Sequence, residues 1–437
     1  MLIEQALERC ARFGMKPGLD SIRATCAAMG NPQDALRVVH VAGTNGKGAV
    51  CTLIDAALRE AGFGTGRYTS PHLVSLAERF IVNGEPAPSA LIDEAFSAVP
   101  DSGGLTYFEL LTATAFELYR RANVDYLVLE TGLGGRLDAT NVVRRPELCV
   151  ITRIGLDHCD WLGGTIPEIA AEKGGIIKPG VPVVLGAMPQ EARDTLERIA
   201  AERGAPCVYA PAEGGELSRA FGAVESGEFR VEKPSTHNTQ LPTLNLKGAF
   251  NRENAVTAAA ALELLGVPRD AVERGFAAAR WPGRYQRIER GGKTFLVDGA
   301  HNPPAMRALV DSLKMEDVPF RTAICGFCGD KDVAANLRTL AEVVRSGIAV
   351  AIRNPRSLAA ERTADLMRSA GIEDVRACAS LHDALESAPS GTVVCGSLFL
   401  AGEALQELGE IPESARFTPS EKVEKPHTEK QGRLLTV

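Results

Sequence analysis

Residues 37–48 read RVVHVAGTNGKG, a short β-branched run that leads into a glycine-rich turn. The run at residues 37–41 predicts a buried strand, and apolar residues at helical spacing predict a helix over residues 49–61. Glycines in such a turn let backbone amides approach phosphate oxygens, the helix N-terminus favours an anion, and Lys47 adds a positive charge. The segment predicts a phosphate-binding loop; the other interpretation is an ordinary glycine-rich strand-to-helix turn.

This loop departs from the common pattern GxxxxGK followed by Ser or Thr. Val41 stands where the first glycine is usual, and Gly48 and Ala49 follow Lys47, so no hydroxyl is available there. A cation bound near the loop must therefore take more of its ligands from water, phosphate and other side chains.

Short β-branched runs alternate with helical segments along most of the chain, which indicates parallel sheets covered on both faces. Further strands are predicted at residues 125–130, 148–154, 181–185, 294–297, 321–325, 348–352 and 392–395. The 437 residues exceed what one core usually serves. With a Pro-Gly turn at Pro282 as the linker, we expect an α/β domain over residues 1–283 and a smaller, Rossmann-like α/β domain over residues 284–418.

Two segments differ in character from this alternation. Residues 209–248 are rich in Gly, Glu, Ser and Pro, which predicts a small antiparallel excursion or a surface insertion before helical spacing resumes at residues 251–265. Residues 419–437 are polar and charged, which predicts a disordered tail.

Composition argues against a nucleic-acid-binding protein, a membrane protein and a secreted protein. The formal net charge of −7 argues against a nucleic-acid binder. No run of 18 apolar residues and no signal-type segment occurs, and the ten cysteines sit singly in apolar stretches. We therefore expect a cytoplasmic protein without a membrane partner. No long apolar stripe demands a second copy, so we expect a monomer.

Two features invite a metal or redox interpretation that the sequence does not favour. Cys325 and Cys328 form a C-x-x-C, but no second Cys or His pair accompanies it, so two thiols at a strand end are expected. His40 lies inside an apolar strand and is expected to be a core residue.

Several further motifs follow the loop in order, and all the matching segments together span roughly residues 16 to 403. They are YTSPHL (68–73), LETGLGGRLDATN (129–141), GLDH (155–158), DWLG (160–163), EKGGI (172–176), PGRYQ (282–286), VDGAHNP (297–303), GDKD (329–332) and GSL (396–398). Together with GTNGKG, they resemble the folylpolyglutamate synthase family of the Mur ligase superfamily. The resemblance implies a Mur-ligase-like phosphate-loop domain with a parallel sheet, followed by the smaller Rossmann-like domain.

The activity that this resemblance implies is ATP-dependent amide formation. The carboxylate of dihydropteroate, or of the glutamyl tail of tetrahydrofolate and its polyglutamates, is phosphorylated, and the amine of L-glutamate attacks the acyl phosphate. TYFE at residues 106–109 and DWLG favour activity on both acceptors, but a folylpolyglutamate synthase with one activity stays open. So does a nucleotide-dependent switch that forms no amide. A peptidoglycan Mur ligase is disfavoured, because only about 40 residues precede Gly43.

Family resemblance also assigns residues to ATP and to two Mg²⁺ ions. The expected catalytic residues are Lys47, Lys173 and His301. ATP contacts are expected from Thr44, Asn45, Gly46, Lys47, Gly48, Asn254, Arg284 and Asp298. The Mg²⁺ ligands are expected to be Ser70, Glu130 and His158. Each of these three lies at or just after a predicted strand end, and strand ends line the ligand crevice of an open parallel sheet.

Further residues are assigned to the acceptor and to L-glutamate. Substrate contacts are expected from Gly18, Leu19, Thr106, Tyr107, Phe108, Glu109, Leu137, Asp138, Ala139 and Ser397. Phe108 is expected to pack on a flat heterocycle; the alternative is core packing against Leu110 and Leu111. The family resemblance implies a carbamylated Lys173, and the alternative there is a surface ion pair with Glu172 or a neighbouring residue.

Overall fold

The computed structural model describes residues 2–10, 18–100, 104–210, 218–220, 244–317 and 319–411. These residues form two sheets, each covered by helices on both faces. The predicted tail at residues 419–437, most of the predicted excursion at residues 209–248, and Lys16 and Pro17 lie outside the described residues.

The first sheet has nine strands in the order β4-β3-β2-β5-β1-β6-β7-β8-β9. Its strands are β1 (Val38–Ala42), β2 (Thr65–Tyr68), β3 (Phe80–Val82), β4 (Glu85–Pro86), β5 (Tyr126–Glu130), β6 (Leu148–Ile151), β7 (Val183–Leu185), β8 (Cys207–Tyr209) and β9 (Ser218–Ala220). The six strands from β2 to β8 in this order pair in parallel, whereas β3, β4 and β9 join by antiparallel pairing. All residues of β1 and β5 are buried, as central strands of a doubly covered sheet require.

Ten helices in the described residues accompany this sheet. They are α1 (Leu2–Cys10), α2 (Asp20–Ala28), α3 (Lys47–Glu60), α4 (Ser89–Ser97), α5 (Tyr107–Arg121), α6 (Cys159–Leu162), α7 (Ile166–Gly174), α8 (Gln190–Glu202), α9 (Ala249–Leu264) and α10 (Arg269–Ala278). Helix α3 packs tightly against α10: a Cβ added at Gly275 would lie 2.5 Å from the backbone of Ala57. The helix that follows the glycine-rich loop is thereby held rigidly within one hydrophobic core.

The second sheet has six strands in the order β10-β11-β15-β12-β13-β14. They are β10 (Gln286–Arg290), β11 (Lys293–Val297), β12 (Thr322–Cys325), β13 (Ser346–Ala349), β14 (Asp374–Ala377) and β15 (Thr392–Cys395). All are parallel except β10, which forms a hairpin with β11. Its helices are α11 (Pro303–Leu313), α12 (Val333–Leu340), α13 (Ala360–Ser369), α14 (Leu381–Ser387) and α15 (Leu398–Glu407).

The predicted α/β architecture with two parallel sheets is confirmed, but three predicted strands have bounds that differ by two or more residues. The strand predicted at residues 181–185 is β7, which begins at Val183. The strand predicted at residues 348–352 is β13, which begins at Ser346, because pairing with β12 and β14 sets its register despite the glycine at residue 347. The strand predicted at residues 148–154 ends at Ile151, because the next residues turn to support the glycine-rich loop. In the described part of the chain, no helix is both long and apolar enough to cross a bilayer.

Candidate active site

The glycine-rich loop joins β1 to α3 and is fixed by the end of β6. The backbone N–H of Thr44 donates to the carbonyl oxygen of Arg153 at 2.9 Å, and the Thr152 hydroxyl donates to the carbonyl oxygen of Asn45 at 2.8 Å. The Thr44 hydroxyl both donates to and accepts from the backbone of Gly155, at 3.0 and 3.1 Å. Thr44 therefore shapes the loop through its side chain.

Two glycines in the loop adopt conformations that a side chain would disturb. Gly46 caps α3 with φ +88°, and a Cβ there would collide with the amide oxygen of Asn254. Gly43 has φ +152°, and a Cβ there would collide with the Thr152 hydroxyl. Glycine thus lets the loop pack closely on α9 and β6 while its amides stay at the start of a helix, where anions bind.

Lys47 and Glu130 face each other beside the loop. The Lys47 ammonium donates to the carbonyl oxygens of Gly43 and Thr44, at 3.2 and 3.4 Å, and lies 3.9 Å from the Glu130 carboxylate. The other Glu130 oxygen accepts from the Ser70 amide at 2.9 Å. Burial raises the pKa of Glu130, with Lys47 acting against that rise. A buried carboxylate that lies 3.9 Å from the Lys47 ammonium is suited to a metal ion.

Lys173 lies beneath the same loop, in the last turn of α7. Its ammonium donates to the carbonyl oxygen of Gly43 at 2.9 Å, and its side chain is buried. Burial, assisted by Lys47, lowers the pKa of Lys173 to about 7. The surface ion pair considered from the sequence is wrong, because Glu172 pairs with Arg136 instead, at 2.7 Å.

A cavity of about 420 Å³ opens at the loop, between the two sheets. All predicted ATP contacts and all three predicted metal ligands line it, together with His301 and Ser397. The predicted ATP contacts are Thr44, Asn45, Gly46, Lys47, Gly48, Asn254, Arg284 and Asp298, and the predicted metal ligands are Ser70, Glu130 and His158. Lys173 does not line the cavity.

Ser70, Glu130 and His158 can bind a divalent cation only if phosphate oxygens or water supply further ligands. Among the described residues, no cluster of three or more His, Cys, Asp or Glu side chains is placed to bind a metal by itself. Ser70, Glu130 and His158 leave room for phosphate oxygens and water, which is how Mg²⁺ is usually bound. Burial lowers the pKa of His158, so its imidazole stays neutral as a ligand must. The donors present fit Mg²⁺ bound together with a phosphate chain.

Three cavity-lining residues follow strands of the second sheet: Asp298 and His301 come after β11, and Ser397 comes after β15. Asp298 follows β11, and its two oxygens accept from the amides of Tyr285 and Ala300, at 2.7 and 2.8 Å, which fixes the linker that carries Arg284. His301 Nδ1 lies 2.8 Å from the carbonyl oxygen of Gly299. A carbonyl only accepts, so Nδ1 bears the hydrogen and Nε2 presents a lone pair. Burial lowers the pKa of His301 to about 4.

Asp157 joins the two domains across the cavity, and sequence reasoning did not single it out. Its carboxylate accepts from the Asn302 amide at 2.7 Å and lies 3.8 Å from the Lys331 ammonium. Asn302 also bonds to Asn45 of the loop at 3.4 Å. Burial opposes ionisation of Asp157, but His158, Lys331 and Asn302 outweigh it and hold the pKa of Asp157 below its usual range. The motifs GLDH, VDGAHNP and GDKD contain Asp157, Asn302 and Lys331, and they were the sequence features that could have indicated this contact.

Trp281 is a second residue that sequence reasoning missed. Its ring lies against Gly48, where a Cβ would collide with it, and faces the guanidinium groups of Arg67 at 5.6 Å and Arg284 at 6.0 Å. The cation–π contact with Arg284 helps to orient this side chain beside the loop. The motif PGRYQ begins one residue after Trp281, which was the signal available.

Of the residues predicted to contact substrates, Ser397 lines the cavity, whereas none of those in the loops predicted for the acceptor does. Thr106 and Glu109 form a capping box at the start of α5, so their side chains are engaged with the backbone. Asp138 accepts from Leu133, at 2.8 Å, and from Thr140, which fixes the turn between them.

The other residues predicted to contact the acceptor differ in their exposure to solvent. The Phe108 ring lies 6.0 Å from that of Tyr68 and covers Gly132, which lines the cavity. Leu19 and Ala139 are buried, whereas Leu137 is exposed and Gly18 is partly exposed. Phe108 therefore combines packing with a position next to the cavity.

Cys325, Cys328 and His40, which invite a metal or redox interpretation, are buried in the structure. Cys325 and Cys328 are buried, and no Cys or His cluster of metal-binding size accompanies them among the described residues. His40 is fully buried, with Nε2 2.8 Å from the Thr140 hydroxyl. Both expectations from the sequence are consistent with these positions.

Comparison with known families gives two matches. Residues 41–262 match the Mur ligase middle domain, and residues 283–398 match the Mur ligase glutamate ligase domain. A dihydrofolate synthase/folylpolyglutamate synthase of Bacillus subtilis is 36% identical over 72% of this chain and 76% of its own length. Its counterpart from Mycobacterium tuberculosis is 34% identical over 93% of both chains.

Solved structures agree in fold over nearly the whole chain. Mycobacterium tuberculosis folylpolyglutamate synthase complexed with ADP and AMPPCP gives a TM-score of 0.81 at 30% identity, over 94% of this chain and 98% of that one. Escherichia coli FolC in complex with DHPP and ADP gives 0.79 at 31%, over 92% and 97%. A bifunctional folylpolyglutamate synthase/dihydrofolate synthase with Mn, AMPPNP and L-glutamate bound gives 0.76 at 30%, over 93% and 98%.

The contact between Asp157 and Asn302 predicts a test of domain closure. Asn302→Asp keeps the helix cap on α11 but sets two carboxylates against each other, which we expect to weaken closure by about 2–5 kcal/mol. Small-angle scattering should show a larger radius of gyration for this variant than for the unchanged protein.

A reciprocal exchange serves as the matched control. Asp157→Asn combined with Asn302→Asp restores one donor and one acceptor, so the radius of gyration should return towards its original value. An Asn302→Asp variant as compact as the unchanged protein would contradict a role in closure.

Proposed function

The chain belongs to the dihydrofolate synthase/folylpolyglutamate synthase family of the Mur ligases, and from that membership we propose that it adds L-glutamate to dihydropteroate and to folate glutamyl tails. It is an ATP-dependent glutamate ligase of folate metabolism. One observation carries the proposal for this chain: Lys47 and Glu130 of the first domain and His301 of the second line the same cavity.

We assign ATP to the loop side of that cavity. The loop amides at the start of α3 and the Lys47 ammonium face the place of the β- and γ-phosphates. Asn254, which touches Gly46, is assigned to the adenine, and Arg284 and Asp298 are assigned to phosphate and ribose. Relatives of this fold have been solved with ADP, AMPPCP or AMPPNP, which supports the same location here.

Ser70, Glu130 and His158 are assigned to two Mg²⁺ ions. When bound, these cations would neutralise charge on the phosphate oxygens. The raised pKa of the buried Glu130 supports the assignment, since a cation next to it would offset the burial. Ala49 offers no hydroxyl, so Ser70 and the phosphate oxygens take a larger share of the ligation than in a loop with Ser or Thr.

The first chemical step transfers the γ-phosphoryl group of ATP. A carboxylate oxygen of the acceptor bonds to the γ-phosphorus as the bond to the ADP oxygen breaks, which leaves an acyl phosphate and ADP. Lys47, only partly exposed beside the loop, stabilises the charge that spreads over the transferring group. Phe108 and the loops of residues 106–109 and 137–139 lie on the side assigned to the acceptor.

The second step joins the amine of L-glutamate to the acyl carbon and expels phosphate. His301 Nε2 presents a lone pair to the cavity and is assigned to hold the amine. Because the pKa of His301 is about 4, it orients the amine rather than storing its proton, which leaves with phosphate or water. Ser397 is assigned to the L-glutamate carboxylates. The second domain covers the acyl phosphate and limits its hydrolysis.

Lys173 is proposed to be carbamylated. Carbon dioxide reacts with a neutral amine, and a pKa of about 7 leaves much of Lys173 neutral near pH 7. The carbamate would replace a second buried positive charge near Lys47 by a negative one. That change would hold the Lys47 ammonium beside the phosphates.

The proposed function also concerns where the protein acts and in which oligomeric state. We expect the protein to act as a monomer in the cytoplasm on small-molecule substrates, with no nucleic-acid or membrane partner. The net charge of −7 supports the absence of a nucleic-acid partner.

The two proposed acceptors can be compared directly. With ATP, Mg²⁺ and L-glutamate, we expect phosphate release with dihydropteroate and with tetrahydrofolate, and mass spectrometry should show one added glutamyl unit in each case. Omitting L-glutamate is the control. Release with tetrahydrofolate alone would leave a folylpolyglutamate synthase with one activity.

Lys173 can be tested by ¹³C NMR after incubation with ¹³C-bicarbonate. A carbamate resonance should appear and grow from about pH 6 to 8, because the neutral amine becomes the major form as pH rises through a pKa near 7. The resonance should vanish in Lys173→Met. It should persist in Lys178→Met, a matched control whose lysine also has a lowered pKa, of about 8. Its persistence in Lys173→Met would contradict the assignment.

A further inference from the structure

His72 lines the cavity, yet none of the roles above uses it. It lies two residues after Ser70 in the segment that follows β2, and its side chain is partly buried. The ring contacts the guanidinium of Arg79, whose Nε lies 2.8 Å from His72 Nδ1. This contact determines which ring nitrogen carries the hydrogen.

The hydrogen must lie on His72 Nε2. A guanidinium has five N–H donors and no acceptor. Arg79 Nε therefore donates, and His72 Nδ1 must present its lone pair. An imidazole that accepts at Nδ1 is neutral and bears its single hydrogen on Nε2. The hydrogen bonds among the described residues include none to His72 Nε2, and His72 lines the cavity, so this donor is available to a ligand there.

Arg79 is held firmly enough to impose this arrangement. It is buried at the end of the short helix Leu76–Arg79, and its guanidinium lies 5.8 Å from the centre of the Tyr107 ring. The Glu78 carboxylate fixes the loop that carries His72 by accepting three successive backbone amides, those of Leu73, Val74 and Ser75, at 2.6–2.9 Å. The orientation of the His72 ring is thus set by the fold before any substrate arrives.

The position of His72 identifies the group that its donor meets. Ser70 and Glu130, on the metal side, and Gly132, which Phe108 covers, line the same cavity. The phosphate chain is assigned to the side of Ser70 and Glu130 and the acceptor to the side of Phe108, which places the acceptor's carboxyl group between them, next to His72.

We propose that His72 is a further catalytic residue, whose Nε2–H donates a hydrogen bond to the acceptor's carboxyl oxygen and stabilises the oxyanion formed when the amine attacks. The proposal rests on the ligase function above. As the amine nitrogen bonds to the acyl carbon, the C=O electron pair moves to the oxygen that His72 holds. That pair then reforms the carbonyl as the C–O bond to phosphate breaks. The imidazole keeps its proton throughout.

His72 and His301 thus present opposite polarity to one cavity. His72 Nδ1 accepts from Arg79, so Nε2 donates, whereas His301 Nδ1 donates to Gly299, so Nε2 accepts. The first domain supplies a donor for the acyl oxygen, and the second supplies an acceptor for the amine. This polarity favours the attack of an amine on an activated carboxyl group.

Two substitutions at His72 separate donation from packing. His72→Phe keeps a flat ring but removes the donor, and we expect kcat to fall about 100–1,000-fold, as for loss of one oxyanion donor. His72→Gln supplies an amide N–H and should recover at least about tenfold of that loss. The KM for ATP should change little, and thermal unfolding should show that both variants fold. A kcat for His72→Phe within about threefold of the unchanged enzyme, or no recovery in His72→Gln, would overturn the proposal.

The position of the hydrogen can be measured without turnover. ¹⁵N-histidine NMR of the full chain should show His72 protonated at Nε2 and not at Nδ1, assigned by the signal missing in His72→Phe. Arg79→Met should perturb this signal and lower kcat, whereas Arg79→Gln, which still offers an N–H, should disturb both less. A hydrogen on Nδ1 would overturn the proposal even in an active enzyme. Absence of any glutamate ligation by the unchanged protein would instead count against the proposed function.

Discussion

Two lysine ammonium groups converge on one backbone oxygen, the carbonyl of Gly43, and much of the site follows from this arrangement. Lys47 reaches it at 3.2 Å and the buried Lys173 at 2.9 Å, while Glu130 is 3.9 Å from Lys47. Two like charges in a partly buried loop disfavour each other unless one is neutral or an anion lies between them. The lowered pKa of Lys173 is one response of the protein, and a phosphate chain in the loop is the other. The two ammonium groups repel each other when the loop holds no anion, and the phosphate groups of ATP would make the same arrangement favourable.

The two sheets then place the reacting groups around that loop. Strands β1, β5 and β6 end beside it, and the end of β6 supports it through Thr152 and Arg153. The second domain reaches the loop through Asn302, which contacts Asn45 and Asp157, so closure and phosphate binding share the same residues. His72 of the first domain and His301 of the second line the same cavity in this arrangement. Coupling closure to assembly of the site protects an acyl phosphate from water.

Much of this could be predicted from the sequence, because motifs report local chemistry. The strand–loop–helix unit at residue 43, the two parallel sheets and the cavity-lining Ser70, Glu130 and His158 all follow from patterns along the chain. Burial of Lys173 was missed, although this residue lies on the same stripe of α7 as the buried Ile169. The pairing of His72 with Arg79 could not be predicted, because no pattern shows which nitrogen meets a guanidinium. The capping box of Thr106 and Glu109 was missed although TYFE fits its pattern, a Ser or Thr followed three residues later by Glu.

The measurement that tests the account most directly follows the oxygen atoms of the acceptor carboxylate. An acceptor labelled with ¹⁸O in both carboxylate oxygens, incubated with ATP, Mg²⁺ and L-glutamate, should yield phosphate that carries one labelled oxygen and an amide that retains the other. That result is required if the carboxylate attacks the γ-phosphorus and phosphate later leaves from the acyl carbon. Amide formation with unlabelled phosphate would contradict the acyl phosphate and the placement of groups around the Gly43 loop that is built on it.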